Sequence, residues 1–266
     1  MERFFVSVTH PLRGRPYAWP DGEAFEDHPR GTLKSGKEAE VFLLERRFER
    51  SGPRLLAHKR YRIRYPGKDE LRAEGFSNAT SFRRHAMYRG GWNVDARDRR
   101  ALAAGNKSRH GQALAATLWP IQEWTWMRRA WEAGVDVPYP VERTADGILM
   151  EFIGDAGALV AAPKLAQARL EPDALASAWE QMASSLRALT RAGLVHADLS
   201  PYNLLWWDGR LVVIDLPQVV EFTTNPDAFE LLHRDVANVG GWFARRGVAV
   251  DVEALYAELV GMAWLG

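Results

Sequence analysis

Residues 194–221 read LVHADLSPYNLLWWDGRLVVIDLPQVVE, and this stretch decides how the rest of the chain is interpreted. It contains His196, Asp198 and Asn203 in the spacing H-x-D-x4-N, and Asp215 follows Asn203 by twelve residues. The runs between these polar residues are apolar and short, which is typical of buried strands. The pattern therefore predicts a pair of strands that carries polar groups at one end.

The geometry of this pair follows from its turn. The dipeptide DG at residues 208–209 is a strong signal for a two-residue hairpin turn, which places Asn203 opposite Ile214. Asp215 then lies beside Asn203 at the open end, and the preceding loop brings Asp198 there. Carboxylate and carboxamide oxygens suit Mg²⁺, and this set is the one used in kinase phosphoryl transfer.

Composition sets wide limits on the function. The 266 residues suit one large domain or two small lobes that share a cleft. The 35 Lys and Arg nearly balance the 34 Asp and Glu, so net charge indicates no class of partner. The absence of cysteine excludes disulfides, thiolate zinc sites and cysteine nucleophiles. No stretch resembles a signal peptide or a membrane span, so we expect a cytoplasmic protein without membrane contact.

Short patterns predict the remaining elements. Residues 1–30 are rich in Pro, Gly and charge and are expected to be irregular, and residues 154–168 are expected to be a linker. His196 is expected to pack and hydrogen-bond its loop. The expected strands and helices are strands at 40–45, 55–61 and 147–152, a helix at 119–133, a long helix that ends at Gly193, and a helical C-terminus from about Ala228.

Four segments together resemble the RIO kinase family. They are residues 194–221, SGKEAEVF at 35–42, AHKRY at 57–61 and LMEFIG at 149–154, and the resemblance covers roughly residues 31–245. The stretch VDVPYPVER and the close of WFARRG are similar to bacterial members.

The resemblance implies an α+β fold of the two-lobed, protein-kinase-like type, with ATP in the cleft. A small, β-rich N-lobe would cover residues 31–150, with a flexible basic segment at about 66–110. A reduced helical C-lobe would cover residues 151–266, and residues 1–30 would be an N-terminal extension.

The resemblance also implies a role for each matching residue. Lys59 would contact the α- and β-phosphates, with Glu123 as its ion-pair partner, and Asp198 would be the catalytic aspartate. Asn203 and Asp215 would bind Mg²⁺, with Mn²⁺ as an alternative. The remaining nucleotide contacts would come from Ser35, Gly36, Lys37, Val41, Met150, Glu151 and Ile153.

Departures from ordinary protein kinases point toward a narrower function. The chain has no G-x-G-x-x-G loop, Ala197 follows His196, and Asp215-Leu216-Pro217 stands where D-F-G is usual. The usual platform for peptide substrates is missing. The resemblance therefore implies a serine/threonine kinase or an ATPase, in which Asp215 itself is a candidate phospho-acceptor.

Two other functions fit the same motif. Small-molecule kinases of the aminoglycoside or choline type also carry H-x-D-x4-N, but they usually have a larger helical C-lobe. A nucleotide-regulated module that binds a ribonucleoprotein is the other alternative.

A basic stretch bears on possible partners. Residues 83–110 hold eight Lys or Arg and two Asp, a composition of either a solvated flexible segment or a nucleic-acid contact. If RNA is bound, we expect Arg83, Arg84 and Arg89 to contact it.

Overall fold

A computed structural model describes residues 19–20, 22–36, 39–61, 109–144 and 147–265, without the side chains of 109–119 and 265. The fold is mixed α+β and kinase-like, with an antiparallel sheet in the first half and helices with short hairpins in the second. Its elements are β1 (Phe25–Ser35), β2 (Ala39–Phe48), β3 (Gly52–Tyr61), α1 (Arg109–Glu132), β4 (Pro140–Arg143), β5 (Gly147–Glu151), β6 (Gly154–Asp155), β7 (Val160–Ala161), α2 (Pro172–Arg191), β8 (Leu194–Val195), β9 (Leu204–Trp207), β10 (Arg210–Val213), β11 (Val220–Glu221), α3 (Ala228–Ala244) and α4 (Val252–Leu265).

Strand β3, which carries Lys59, lies at the centre of the first sheet. The strand order of this sheet is β1-β2-β3-β5-β4, and each neighbouring pair is antiparallel. Lys59 lies opposite Val41 of β2 on one side and Ile148 of β5 on the other. Because β3 is hydrogen-bonded on both edges, the backbone of Lys59 is held firmly in register.

Strand β1 corrects the expectation that residues up to 30 are irregular. Residues 25–30 belong to β1, and Asp27 of this segment forms a bidentate pair with Arg46, with Nε–Oδ1 and Nη2–Oδ2 distances of 2.8 Å. The strand is mostly exposed and lacks apolar alternation, so its sequence gives no strand signal. Pro29 is tolerated because β1 is an edge strand with a register shift between Pro29 and Gly31.

Helix α1 is longer than its pattern predicts. It begins at Arg109 rather than at Trp119, and it contains Pro120. It ends as expected, because Gly134 follows it with a positive φ of 88°. The helix carries Glu123 on its second half, where the side chain reaches β3.

The helices of the second half form the main core. Helix α2 buries Trp179, Met182, Leu186 and Leu189 on one face, and its end before Gly193 is as predicted. Helix α4 packs against both α2 and α3. Among the described residues, no helix is long and apolar enough to cross a membrane.

The expected linker at residues 154–168 has structure of its own. Strands β6 and β7 pair as a short hairpin, and the segment after them lies against the loop and strand that carry the H-x-D-x4-N motif. Leu165 donates its N–H to the carbonyl of Leu204 at 2.8 Å, and Ala166 donates to the carbonyl of Pro201 at 3.0 Å. These bonds join sequence-distant segments, which local patterns do not reveal.

Candidate active site

Lys59 bridges two carboxylates that come from different parts of the chain. Its Nζ lies 2.8 Å from Oε1 of Glu123 on α1 and 2.8 Å from Oδ1 of Asp215, which follows β10. The Glu123 side chain is 1% exposed, whereas that of Asp215 is 46% exposed. The structure therefore brings together three sequence-predicted residues along a line from the interior to solvent.

The charges of these groups depend on one another. The two carboxylates raise the pKa of Lys59 despite its burial, so the lysine stays charged. Lys59 lowers the pKa of Asp215 to about 2. Burial raises the pKa of Glu123 against the opposing effect of Lys59. Glu123 therefore depends on Lys59 for its negative charge, while Asp215 is ionised at any physiological pH.

The hairpin of β9 and β10 places Asn203 next to the Asp215 segment, as the turn predicts. Trp207 pairs with Arg210, and Ile214 donates its N–H to the carbonyl of Asn203 at 3.0 Å. This bond aligns the residue before Asp215 with the residue before β9. The backbone pairing at the open end of the hairpin is therefore as predicted.

Asp198 lies beside Asn203 in the loop before the hairpin. The Asn203 side-chain nitrogen donates to the Asp198 carbonyl at 2.8 Å and to its Oδ2 at 3.3 Å. Asn203 is buried, and its amide orients the Asp198 carboxylate. Asp198 itself is exposed, which suits a group that meets an incoming acceptor.

The donor set fits a magnesium ion. Since the Asn203 nitrogen is used by Asp198, its carbonyl oxygen is the atom left to act as a ligand. Asp215 provides a half-exposed carboxylate as the second ligand. The remaining coordination positions of a Mg²⁺ ion are normally filled by water and phosphate oxygens. A cluster of protein carboxylates is not needed, and among the described residues no group of three His, Asp or Glu forms one.

The expected nucleotide loop comprises residues 35–42, of which the structure describes 35–36 and 39–42. The Ser35 hydroxyl donates to Oε1 of Glu40 at 3.2 Å, and Gly36 donates its N–H to the carbonyl of Ala39 at 2.9 Å. A Cβ at Gly36 would lie 3.0 Å from that carbonyl oxygen, so the turn is tight. Lys37 lies outside the described residues.

Three of the expected nucleotide contacts, Met150, Glu151 and Ile153, lie in β5 or directly after it. Met150 lies opposite Ala57 of β3, and Ile153 is buried in a small cluster with Ala162 and Val212. The Glu151 side chain is engaged elsewhere, because its Oε2 accepts the Tyr139 N–H and its Oε1 lies 3.5 Å from Arg210. Any contact of Glu151 with a base would therefore come from its backbone.

Sequence reasoning missed Asp235, which holds the motif loop from helix α3. This carboxylate is fully buried, and it accepts the N–H of Ala197 at 2.6 Å and that of Leu199 at 2.9 Å. Ala197 has a φ of 64°, a conformation that a non-glycine residue rarely adopts, and Arg234 donates to its carbonyl. The available signal was an aspartate among the apolar positions of an amphipathic helix, between Leu231 and Val239.

A second missed feature is an ion network that joins the two halves of the fold. Arg210 of β10 lies 2.6 Å from Oδ1 of Asp136, which follows α1, and 3.5 Å from Oε1 of Glu151. Burial raises the pKa of Glu151, and Arg210 opposes that rise. The network therefore connects the hairpin of β9 and β10 to strand β5.

His196 makes a structural contact, as expected. Its Nε2 lies 3.2 Å from the Ile214 carbonyl, and the side chain is buried. The histidine therefore links the motif loop to the strand before Asp215. The predicted RNA contacts Arg83, Arg84 and Arg89 lie outside the described residues.

Comparisons with known proteins agree with this architecture. A family model described as the RIO domain matches residues 79–255. The chain is 39% identical over 152 residues to RIO-type serine/threonine-protein kinase Rio1 of Haloferax volcanii, which covers 57% of this chain and 51% of that protein. It is 37% identical over 148 residues to serine/threonine-protein kinase RIO3 of Homo sapiens, covering 54% and 28% of the two chains.

A third relative is serine/threonine-protein kinase RIO1 of Chaetomium thermophilum, which is 34% identical over 139 residues, covering 49% of this chain and 27% of the relative. The chain thus spans about half or less of the length of these curated relatives.

Proposed function

The chain belongs to the RIO domain family, and on this premise we propose that it is an ATP- and Mg²⁺-dependent serine/threonine kinase or ATPase. The observation that carries the proposal is the Lys59 bridge between Glu123 and Asp215, next to the Asp198–Asn203 pair. A lysine that orders a phosphate chain, a metal aspartate and an aspartate facing the acceptor are the parts that phosphoryl transfer needs.

The lysine would act on the phosphates. The buried Glu123 holds the ammonium group of Lys59 within 2.8 Å of Asp215. When nucleotide binds, the Lys59 contact with Asp215 would be exchanged for α- and β-phosphate oxygens. Mg²⁺, held by Asn203 and Asp215, would neutralise charge on the phosphates.

Asp198 would orient the attacking oxygen. Asn203 holds one carboxylate oxygen of Asp198, which leaves the other to accept a hydrogen bond from a hydroxyl or a water molecule. The contribution is mainly positioning and electrostatic stabilisation, because the transferred group needs little covalent assistance.

Residues of the first sheet and of the segment directly after it would form the nucleotide pocket. Ser35, Gly36 and Lys37 would cover the phosphates, and Val41 would lie against the base, since it stands opposite Lys59 in the sheet. Met150, the backbone of Glu151 and Ile153 would form the other wall. The lobes would divide at about residue 150, with residues 1–30 as an extension whose last part enters the sheet as β1.

Asp215 is a candidate acceptor of the phosphoryl group. Asp215 is half exposed and ionised, which suits a carboxylate oxygen that attacks the γ-phosphorus while ADP leaves. Serine phosphorylation and hydrolysis by water are the other outcomes. A cytoplasmic location and a protein or ribonucleoprotein partner complete the proposal.

The experiment is a single-turnover assay with γ-labelled ATP and Mg²⁺ that follows free phosphate and protein-bound label together. The variants are Asp198→Ala and Asp215→Asn, and the control is Asp251→Asn at the exposed start of α4. We expect both site variants to lose phosphate release and the control to match the wild type. Hydroxylamine-labile label on the wild type would identify an aspartyl phosphate, and acid-stable label would identify serine or threonine.

The proposal fails if the wild type neither binds ATP nor releases phosphate. It also fails if Asp198→Ala and Asp215→Asn turn over at the wild-type rate, because the named carboxylates would then have no part in the chemistry.

A further inference from the structure

Two lysines from distant segments of the chain, Lys34 and Lys164, lie near the Lys59 site. Lys34 is at the end of β1, immediately before the nucleotide loop, and Lys164 follows β7. Lys34 lies close enough to Lys164 to lower its pKa, an effect second to that of burial. Among the described residues, neither lysine forms an ion pair with a carboxylate.

The position of Lys164 is fixed by its backbone. Residues 163–166 are hydrogen-bonded along the motif loop and β9, with Trp206 donating to the Pro163 carbonyl at 3.1 Å and Leu165 donating to Leu204 at 2.8 Å. The Lys164 Nζ lies 5.7 Å from the centre of the exposed Tyr202 ring. The ammonium group is therefore held over the loop between Asp198 and Asn203.

The three lysines differ in exposure, since Lys34 is exposed and Lys164 is half-buried. Lys59 is innermost, with a side chain 12% exposed, and its partner Asp215 is 46% exposed. Lys34 lies opposite Val41 of β2, which in turn lies opposite Lys59 of β3, so Lys34 stands on the same face of the sheet as Lys59. A phosphate chain that begins at Lys59 and runs outward past Asp215 would end between Lys34 and Lys164.

We propose that Lys34 and Lys164 form a two-lysine subsite that clasps the terminal phosphate of the bound nucleotide. Two ammonium groups placed together without an anion repel each other, and a phosphate between them converts that repulsion into two charge-assisted hydrogen bonds. The subsite rests on the proposed function and adds to it a basis for discriminating ATP from nucleotides with fewer phosphates.

The test is equilibrium binding of ATP, ADP and AMP to Lys34→Gln, Lys164→Gln and the double variant, by calorimetry. The control is Arg143→Ala, which removes an exposed cation from β4. We expect each single change to weaken ATP on the order of tenfold and to leave AMP within about twofold. Because both lysines contact one phosphate, the double variant should lose less than the product of the single losses.

Competition by inorganic tripolyphosphate tests whether the two lysines recognise the phosphate chain rather than the nucleoside. If the subsite recognises phosphate, tripolyphosphate should compete with ATP on the wild type more strongly than on the double variant. Two results would overturn the subsite: equal weakening of ATP and AMP binding, or an ATP affinity that is unchanged in both single variants. The proposed function would survive either result if Lys59→Met still reduced the affinity for ATP. Failure of the wild type to bind ATP would refute both.

Discussion

Lys59 donates to the half-exposed Asp215 at 2.8 Å while it also donates to the buried Glu123 at 2.8 Å. One cation therefore compensates two carboxylates of very different exposure. In the proposed mechanism, nucleotide would release Asp215 while Glu123 stays buried, and the different exposure of the two carboxylates is compatible with that exchange.

Removal of the lysine should destabilise the fold chiefly through Glu123. Lys59→Met leaves a carboxylate that is 1% exposed without its cation, and the free energy of unfolding should fall by about 3 kcal/mol. Urea denaturation at pH 7 measures the loss. The double variant Lys59→Met/Glu123→Gln should recover more than half of it, and no recovery would show that Glu123 is not the cause.

The pKa of Asp215 should report the same contact. It is about 2 in the wild type, below the ordinary 3.8, so the stabilisation it provides is complete above pH 3.8 and is lost as pH falls through about 2. Lys59→Met should raise this pKa toward 3.8, because the attraction of Lys59 is the largest cause of its lowering, whereas Lys59→Arg should keep it low. Carbon-detected NMR titration of the carboxyl group measures it, and an unchanged pKa in Lys59→Met would contradict the assignment.

The parts of this site that were predictable share a local signal. The hairpin from Leu204 to Val213 follows from its DG turn and apolar strands, and its register places Asn203 as expected. The contact between Lys59 and Glu123 joins residues 64 positions apart, so no local pattern reveals it. Its prediction came from the family resemblance.

The missed features lack such a signal. Strand β1 is an exposed edge held by charge pairs, so apolar alternation is absent. The contacts of Asp235 with Ala197 and of Arg210 with Asp136 join residues 38 and 74 positions apart. Local patterns can show that a charged residue lies on an apolar face, but they do not identify its distant partner.

Asp235 should position the motif loop rather than contact substrate. In Asp235→Asn one oxygen becomes an NH₂ group that faces a backbone N–H, so we expect a loss of stability of about 2 kcal/mol. Phosphate release should fall at least about tenfold while ATP affinity stays within about twofold, because Lys59 is unaffected. In the control Asp251→Asn, asparagine caps the start of α4 as well as aspartate does, so the free energy of unfolding should change by less than about 0.5 kcal/mol. A weakened ATP affinity with unchanged turnover would contradict the positioning role.

The network around Arg210 should be worth more than an exposed ion pair of similar geometry. Arg210→Met leaves the buried Glu151 without its cation, and we expect a loss of about 2 kcal/mol. The matched control is Arg187→Met, which breaks a bidentate pair with Glu258 at 2.7 and 3.0 Å on the surface and should cost less than about 1 kcal/mol. Chemical denaturation of both variants measures the difference, and equal losses would contradict the buried network.

The turn of the hairpin should depend on its glycine. Asp208 and Gly209 have φ values of 49° and 76°, the left-handed pair that a two-residue turn requires. Gly209→Ala meets no neighbouring atom, so its cost of about 1 kcal/mol comes from backbone conformation alone. Gly261→Ala is the matched control, because Gly261 lies within α4 with open space around it and should stabilise by about 0.5–1 kcal/mol. Thermal unfolding of the two variants should therefore shift in opposite directions, and a shift of both in the same direction would show that the turn conformation does not limit stability.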